Sequence, residues 1–107
     1  MKPWGTETLL TGPDSPYCMK VLRVNPNSRL SLQAHAVKDE TLVLIWGTAT
    51  LEIDGATVAM EQYQPYHIPP MVKHRLSAQS HVTVIEASTP EVGTTYRYED
   101  DYGRGDD

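Results

Sequence analysis

The chain has 107 residues, 39% hydrophobic and 21% charged, with a formal net charge of −5 at pH 7. That length supports one modest core and is too short for two, and the balance is that of a soluble globular protein, not a disordered one. The acidic surplus, with Glu99, Asp100, Asp101, Asp106 and Asp107 near one end, argues against nucleic acid as a partner, because phosphate recognition needs a basic patch.

No apolar run approaches the ~20 residues of a membrane span. The opening Met1-Lys2-Pro3-Trp4-Gly5 lacks the apolar stretch of a signal peptide, so a cytoplasmic location is expected. Cys18, the single cysteine, excludes an internal disulfide and suits a reducing compartment. Its strand-like surroundings predict a buried, inert thiol.

In chain order, Trp4 between Pro3 and Gly5 is expected to be pinned against the body of the protein or a partner subunit. Met19 to Val24, Leu30 to Ala36, Glu40 to Trp46 and Thr48 to Ile53 are short, rich in aliphatic or β-branched residues, and bounded by turn formers such as Asn25-Pro26-Asn27. Asp54-Gly55 signals a hairpin into Thr57 to Met60, because both central residues of a type I′ turn need positive φ. Beyond it lie Tyr66 to Ile68, the Pro69-Pro70 turn, Arg75 to Ala78, Val82 to Ala87 and Thr94 to Tyr98. No window carries a sustained 3.6-residue apolar period, so little or no helix is expected. Many short strands indicate an all-β sandwich or barrel forming a single domain over 1–107. Gly105 to Asp107 are expected to fray.

Strand alternation predicts that Arg29, Ser31, Gln33 and His35 share one face, with Leu30 and Leu32 on the other. Such a polar face either meets solvent or lines a cavity. Glu40 heads a face shared with Leu42, Leu44 and Trp46, and a buried carboxylate there needs a partner. Singly, each of these polar residues is ordinary. Together, Gln33-x-His35-x4-Glu40-x6-Gly47 and Pro69-x4-His74 suggest a metal site, with a metal-free polar pocket as the alternative.

These two strings resemble the paired motifs of the cupins, G-x5-H-x-H-x3-4-E-x6-G and P-x-G-x2-H-x3-N. Gln33 stands at the first histidine, and His35, Glu40, Gly47, Pro69 and His74 take their places. The resemblance sharpens toward the cupin domain of type II mannose-6-phosphate isomerases. It is carried by Lys2-Pro3-Trp4-Gly5, Leu30-Ser31-Leu32-Gln33-x-His35, Gly47-Thr48-Ala49, Ile68-Pro69, His74-Arg75-Leu76, Ile85-Glu86 and Glu99-Asp100-Asp101-Tyr102-Gly103-Arg104. In that family the domain usually ends a bifunctional enzyme with mannose-1-phosphate guanylyltransferase. The glycine-rich nucleotide-binding segment of that half is not found in these residues.

The resemblance implies a double-stranded β-helix of two facing antiparallel sheets, with a metal at one open end and homodimer formation. It implies Gln33, His35, Glu40 and His74 as metal ligands. Zinc leads among divalent metals, and manganese, nickel, cobalt or iron fit the same mixed donors. The implied reaction converts mannose 6-phosphate to fructose 6-phosphate through an enediol; the catalytic base is not assigned. Departures also stand out: Ala36, Val37 and Lys38 replace further histidines and an arginine, Thr41-Leu42 replaces His-Trp, and Met71 and Ala78 replace the second motif's glycine and asparagine. A segment before the terminal acidic run is reduced to Ser88-Thr89-Pro90-Glu91-Val92-Gly93.

A sugar phosphate needs a cation near the metal. Lys20, sharing a face with Leu22 and Val24, and Arg29 are the candidates, with Tyr66 as a hydroxyl donor. Arg75 is expected to point away from the site. Arg97 and Arg104 are expected to pair with the terminal acids, Trp46 to pack in the core, His67 to be structural or exposed, and His81 to be exposed. Two other functions compete: a vestigial sugar-binding cupin, favoured by the changes after His35, and a metal oxygenase, disfavoured by Gln33.

Overall fold

A computed structural model describes residues 2–90 and 92–101. Ten strands form in chain order: β1 (Gly5–Leu9), β2 (Cys18–Val24), β3 (Leu32–His35), β4 (Glu40–Trp46), β5 (Ala49–Ile53), β6 (Ala56–Ala59), β7 (Pro65–Ile68), β8 (His74–Ala78), β9 (Val82–Ser88) and β10 (Thr95–Glu99). No helix occurs among the described residues. The strands make two five-stranded sheets, ordered β1-β2-β9-β4-β7 and β10-β3-β8-β5-β6. Each strand-to-strand pairing is antiparallel.

The core forms where the inner faces meet. Leu22, Val24, Leu42, Leu44, Val82 and Val84 from the first sheet join Ala49, Leu51, Leu76 and Ala78 from the second. Alternation produces this directly: in β2, Lys20, Leu22 and Val24 are buried while Met19 and Arg23 are exposed. Trp4 is fully buried in the same cluster, and its carbonyl accepts a hydrogen bond from the Asn25 amide at 2.8 Å. Cys18 is half-buried instead of buried, with the Thr11 hydroxyl 3.9 Å from its sulfur.

The Asp54-Gly55 hairpin forms as expected, with φ of 50° and 84° at its two central residues. Strand β1 has no counterpart in the sequence reading. Gly-Thr-Glu-Thr-Leu offers almost no apolar face, and the strand exists by pairing along the edge of β2, from Gly5 opposite Val24 to Leu9 opposite Lys20.

Two expectations of facing fail because the strands slip phase. The backbone is irregular at Leu30 and Ser31, so Leu30 lies on the cavity side with Gln33 and His35. Arg29 instead turns outward. In β4, a register shift between Leu44 and Trp46 breaks the alternation, leaving Trp46 62% exposed rather than in the core.

Candidate metal centre

The sheets bring the singled-out residues together at one end of the barrel. Gln33 and His35 lie on β3, His74 opens β8 in register with Gln33, and Glu40 opens β4 on the opposing sheet. All four are buried and line one cavity of ≈ 140 Å³.

His74 Nδ1 donates to the Val72 carbonyl at 3.0 Å, since a carbonyl can only accept. That bond fixes the ring and aims Nε2 at Glu40 Oε1, 3.0 Å away. His35 is arranged alike: Nδ1 meets the Thr95 hydroxyl at 2.9 Å, and Nε2 lies 3.9 Å from Glu40 Oε2. The ligand atoms of His35, Glu40 and His74 all lie within 4.8 Å of one another. Metal-binding histidines commonly have their second nitrogen held by an outer partner, as both are here.

A divalent ion fits this donor set. Glu40 Oε2 is buried and accepts no hydrogen bond among the described residues. The Lys38 ammonium lies 3.1 Å from it as an ion pair. Burial pushes the Glu40 carboxyl upward, but the His74 hydrogen bond and the Lys38 charge outweigh that and hold it at about 2. It is therefore an anion at neutral pH, as a metal ligand must be.

Two further cavity residues were given no site role from the sequence. Lys38 and Glu86 are both buried, and Lys38 Nζ also lies 3.1 Å from Glu86 Oε2. Burial, then the Glu40 charge, raises the Glu86 carboxyl above its ordinary range despite Lys38. Glu86 had a readable signal: Val82, Val84 and Glu86 share the inward face of β9, the pattern that flagged Glu40. Lys38 sits in a loop, where no periodicity points to it.

Lys20 lines the cavity and lies 3.7 Å from Glu7. Arg29 does not line it; its guanidinium reaches Asp101 with bonds of 2.6 and 2.8 Å. Tyr66 packs against the core, and its hydroxyl accepts the Glu61 amide at 2.7 Å, away from the cavity. Arg75 points away as expected. There it holds Glu99, while Arg97 lines the cavity. His67 and His81 are exposed, and His67 Nε2 contacts Asp39 at 2.5 Å. Arg104 and Gly105 to Asp107 fall outside the described residues.

Two facing antiparallel sheets around an inward His/Glu/His cluster give this protein the cupin fold, a double-stranded β-helix. A cupin-2 domain from Rhodospirillum rubrum superposes with a TM-score of 0.81 at 16% identity, covering 90% of this chain and 66% of that one. The chain belongs to the family described as mannose-6-phosphate isomerase C-terminal, whose model matches residues 1–107.

Among curated relatives, alginate biosynthesis protein AlgA of Pseudomonas aeruginosa is 31% identical, and mannose-1-phosphate guanylyltransferase of Escherichia coli is 30% identical. Each match covers 96% of this chain and 22% of the relative, so the chain spans about a fifth of their length.

Proposed function

We propose that the protein is a metal-dependent sugar-phosphate isomerase, interconverting mannose 6-phosphate and fructose 6-phosphate through an enediol. The observation that carries this reading is the buried His35, Glu40 and His74 cluster, with Gln33 beside it, in a chain of this family. These four residues would hold the ion, zinc first among the divalent metals that suit mixed nitrogen and oxygen donors. When bound, the ion supplies Lewis acidity toward the sugar carbonyl.

Lys20 is the cation we assign to the substrate phosphate, because it lines the same cavity. Arg29 and Tyr66 have no part in this reading. A cytoplasmic homodimer built from a single domain completes it.

The test is a coupled assay on metal-loaded protein with mannose 6-phosphate. Parent protein is expected to turn over, and Gln33→Ala and His74→Ala to lose about 100-fold or more in kcat/KM. Absence of turnover in a sample carrying one metal per chain refutes the reading.

A second reading, a sugar-binding cupin without catalysis, draws support from Lys38. Its ammonium already lies against the Glu40 carboxylate, in part answering the charge a metal would answer. Metal analysis separates the two: protein that neither holds nor takes up stoichiometric metal favours the second.

A further inference from the structure

We propose that Glu86 is the catalytic base of this cavity, carrying a proton between C2 and C1 of the bound sugar, with Lys38 as its positioning residue. This rests on the isomerase reading above.

Three glutamates line the cavity: Glu7, Glu40 and Glu86. Glu40 is committed to the histidine cluster. Glu7 lies on the edge strand beside Lys20 and is the most exposed of the three, its side chain at 28%. Glu86 is buried, stands outside the cluster, and opens onto the same space.

Its placement is rigid. Strand β9 lies between β2 and β4, and Glu86 is in register with Lys20 on one side and Leu42 on the other. A base held on a central strand keeps its geometry better than one on a loop. Lys38 supplies the second constraint. Its ammonium stands 3.1 Å from Glu40 Oε2 and 3.1 Å from Glu86 Oε2, so one group sets the spacing between the metal-ligand carboxylate and the free-standing one.

The arrangement is costly as mere structure. A second buried carboxylate adds anionic charge that Lys38 and Lys20 together offset only in part, where an apolar residue would pack at lower cost. That excess has a use if the carboxylate accepts a proton. The upward shift of Glu86, from burial and the nearby Glu40 charge, is the direction a base needs to hold the proton between two transfers.

The proton balance closes without an oxidant or reductant. Glu86 takes the C2 proton of the open-chain aldose. The C2–H electron pair becomes the C1=C2 bond, and negative charge gathers on O1, on the side the Lys38 ammonium can reach. Glu86 then returns the proton to C1 while the O2 proton passes to O1, leaving C2=O and a C1 alcohol.

The experiment uses the full chain loaded with zinc, given mannose 6-phosphate in D2O. Turnover, deuterium uptake at the sugar carbons and bound metal are all measured. Glu86→Gln, of nearly equal volume, is expected to keep its metal but lose about 1,000-fold in kcat and stop solvent exchange at C2. Glu86→Asp is expected to recover part of both. Lys38→Met is expected to lower kcat about 10- to 100-fold with KM little changed, and Lys38→Arg to restore part of that loss.

A Glu86→Gln protein within 10-fold of the parent, active and exchanging, overturns the assignment and leaves the isomerase reading standing. Loss of metal from Glu86→Gln also overturns it, because Glu86 then serves the ion and not the proton. Zinc-loaded parent that neither turns over nor exchanges removes the isomerase reading, and the role of Glu86 with it.

Discussion

At the level of single residues, Gly47 shows how a backbone requirement supports the site from a distance. It has φ of 99°, and a Cβ built there would lie 2.2 Å from the His81 carbonyl oxygen. Both the torsion and the contact exclude a side chain, and the glycine lets β4 turn into β5 directly after the strand that Glu40 opens. Gly47→Ala is expected to destabilise the protein by about 2–4 kcal/mol, read as a lower midpoint in denaturant with an unchanged slope. A change below 0.5 kcal/mol would show that the turn relaxes freely.

Residue identity carried most of what could be read about the centre. The residues Gln33, His35, Glu40 and His74 reach one cavity because motif spacing already encodes which strand each lies on. Glu86 was equally legible from alternation with Val82 and Val84, and it stood in the Ile85-Glu86 string of the family resemblance, but that string carried no ligand role. Lys38 was not legible, because a loop side chain has no fixed period and its direction depends on what the strands around it present.

At the level of elements, strand positions followed from apolar runs, while side-chain directions failed wherever a strand slipped phase. Alternation from Arg29 to His35 assumed one unbroken strand; the irregular Leu30-Ser31 step reversed it. The slip has a stabiliser that sequence could not reveal. Arg75, only 5% exposed, donates from Nε to the Leu30 carbonyl at 2.9 Å and from Nη2 to the Glu99 carbonyl at 3.2 Å. One guanidinium thus ties β8 to the slipped segment and to the end of β10.

Strand β10 in turn holds Thr95, the outer partner of His35. Arg75→Met should therefore cost about 2–4 kcal/mol and loosen β10. Hydrogen exchange should rise at residues 95–99, and zinc affinity should fall about 10-fold through the lost support of His35. Faster exchange with unchanged affinity would separate the clamp from the metal centre.

For the whole molecule, the facing sheets enclose two carboxylates whose titrations oppose each other. Glu40 is held at about 2, below its ordinary 4.5, so its contribution is complete above 4.5 and is lost as pH falls toward 2. Glu86 is raised, so the folded protein binds its proton more readily than the unfolded chain does. Its contribution is present below the ordinary carboxylate range and fades as pH rises through the raised value. Metal-free protein should accordingly be most stable near pH 4–5 as far as these two groups decide, with Tm falling on both sides. Glu86→Gln should flatten the fall on the alkaline side and leave the acid side in place.

A bound metal would change that profile in a way no apolar contact can. An ion bound only by the folded state adds about 2.7 kcal/mol at 100 times its Kd, an increase of roughly 10 °C or more in Tm for a domain of this size. Its binding needs the Glu40 anion and unprotonated Nε2 atoms on both histidines, so the increase should be large near pH 7 and vanish in acid. His35→Ala and His74→Ala should abolish the zinc-dependent shift. Thermal scans with and without zinc at pH 7 and pH 4 measure this directly. A shift of equal size at both pH values, or one that survives His74→Ala, would mean that zinc binds somewhere other than the cavity where the two sheets meet.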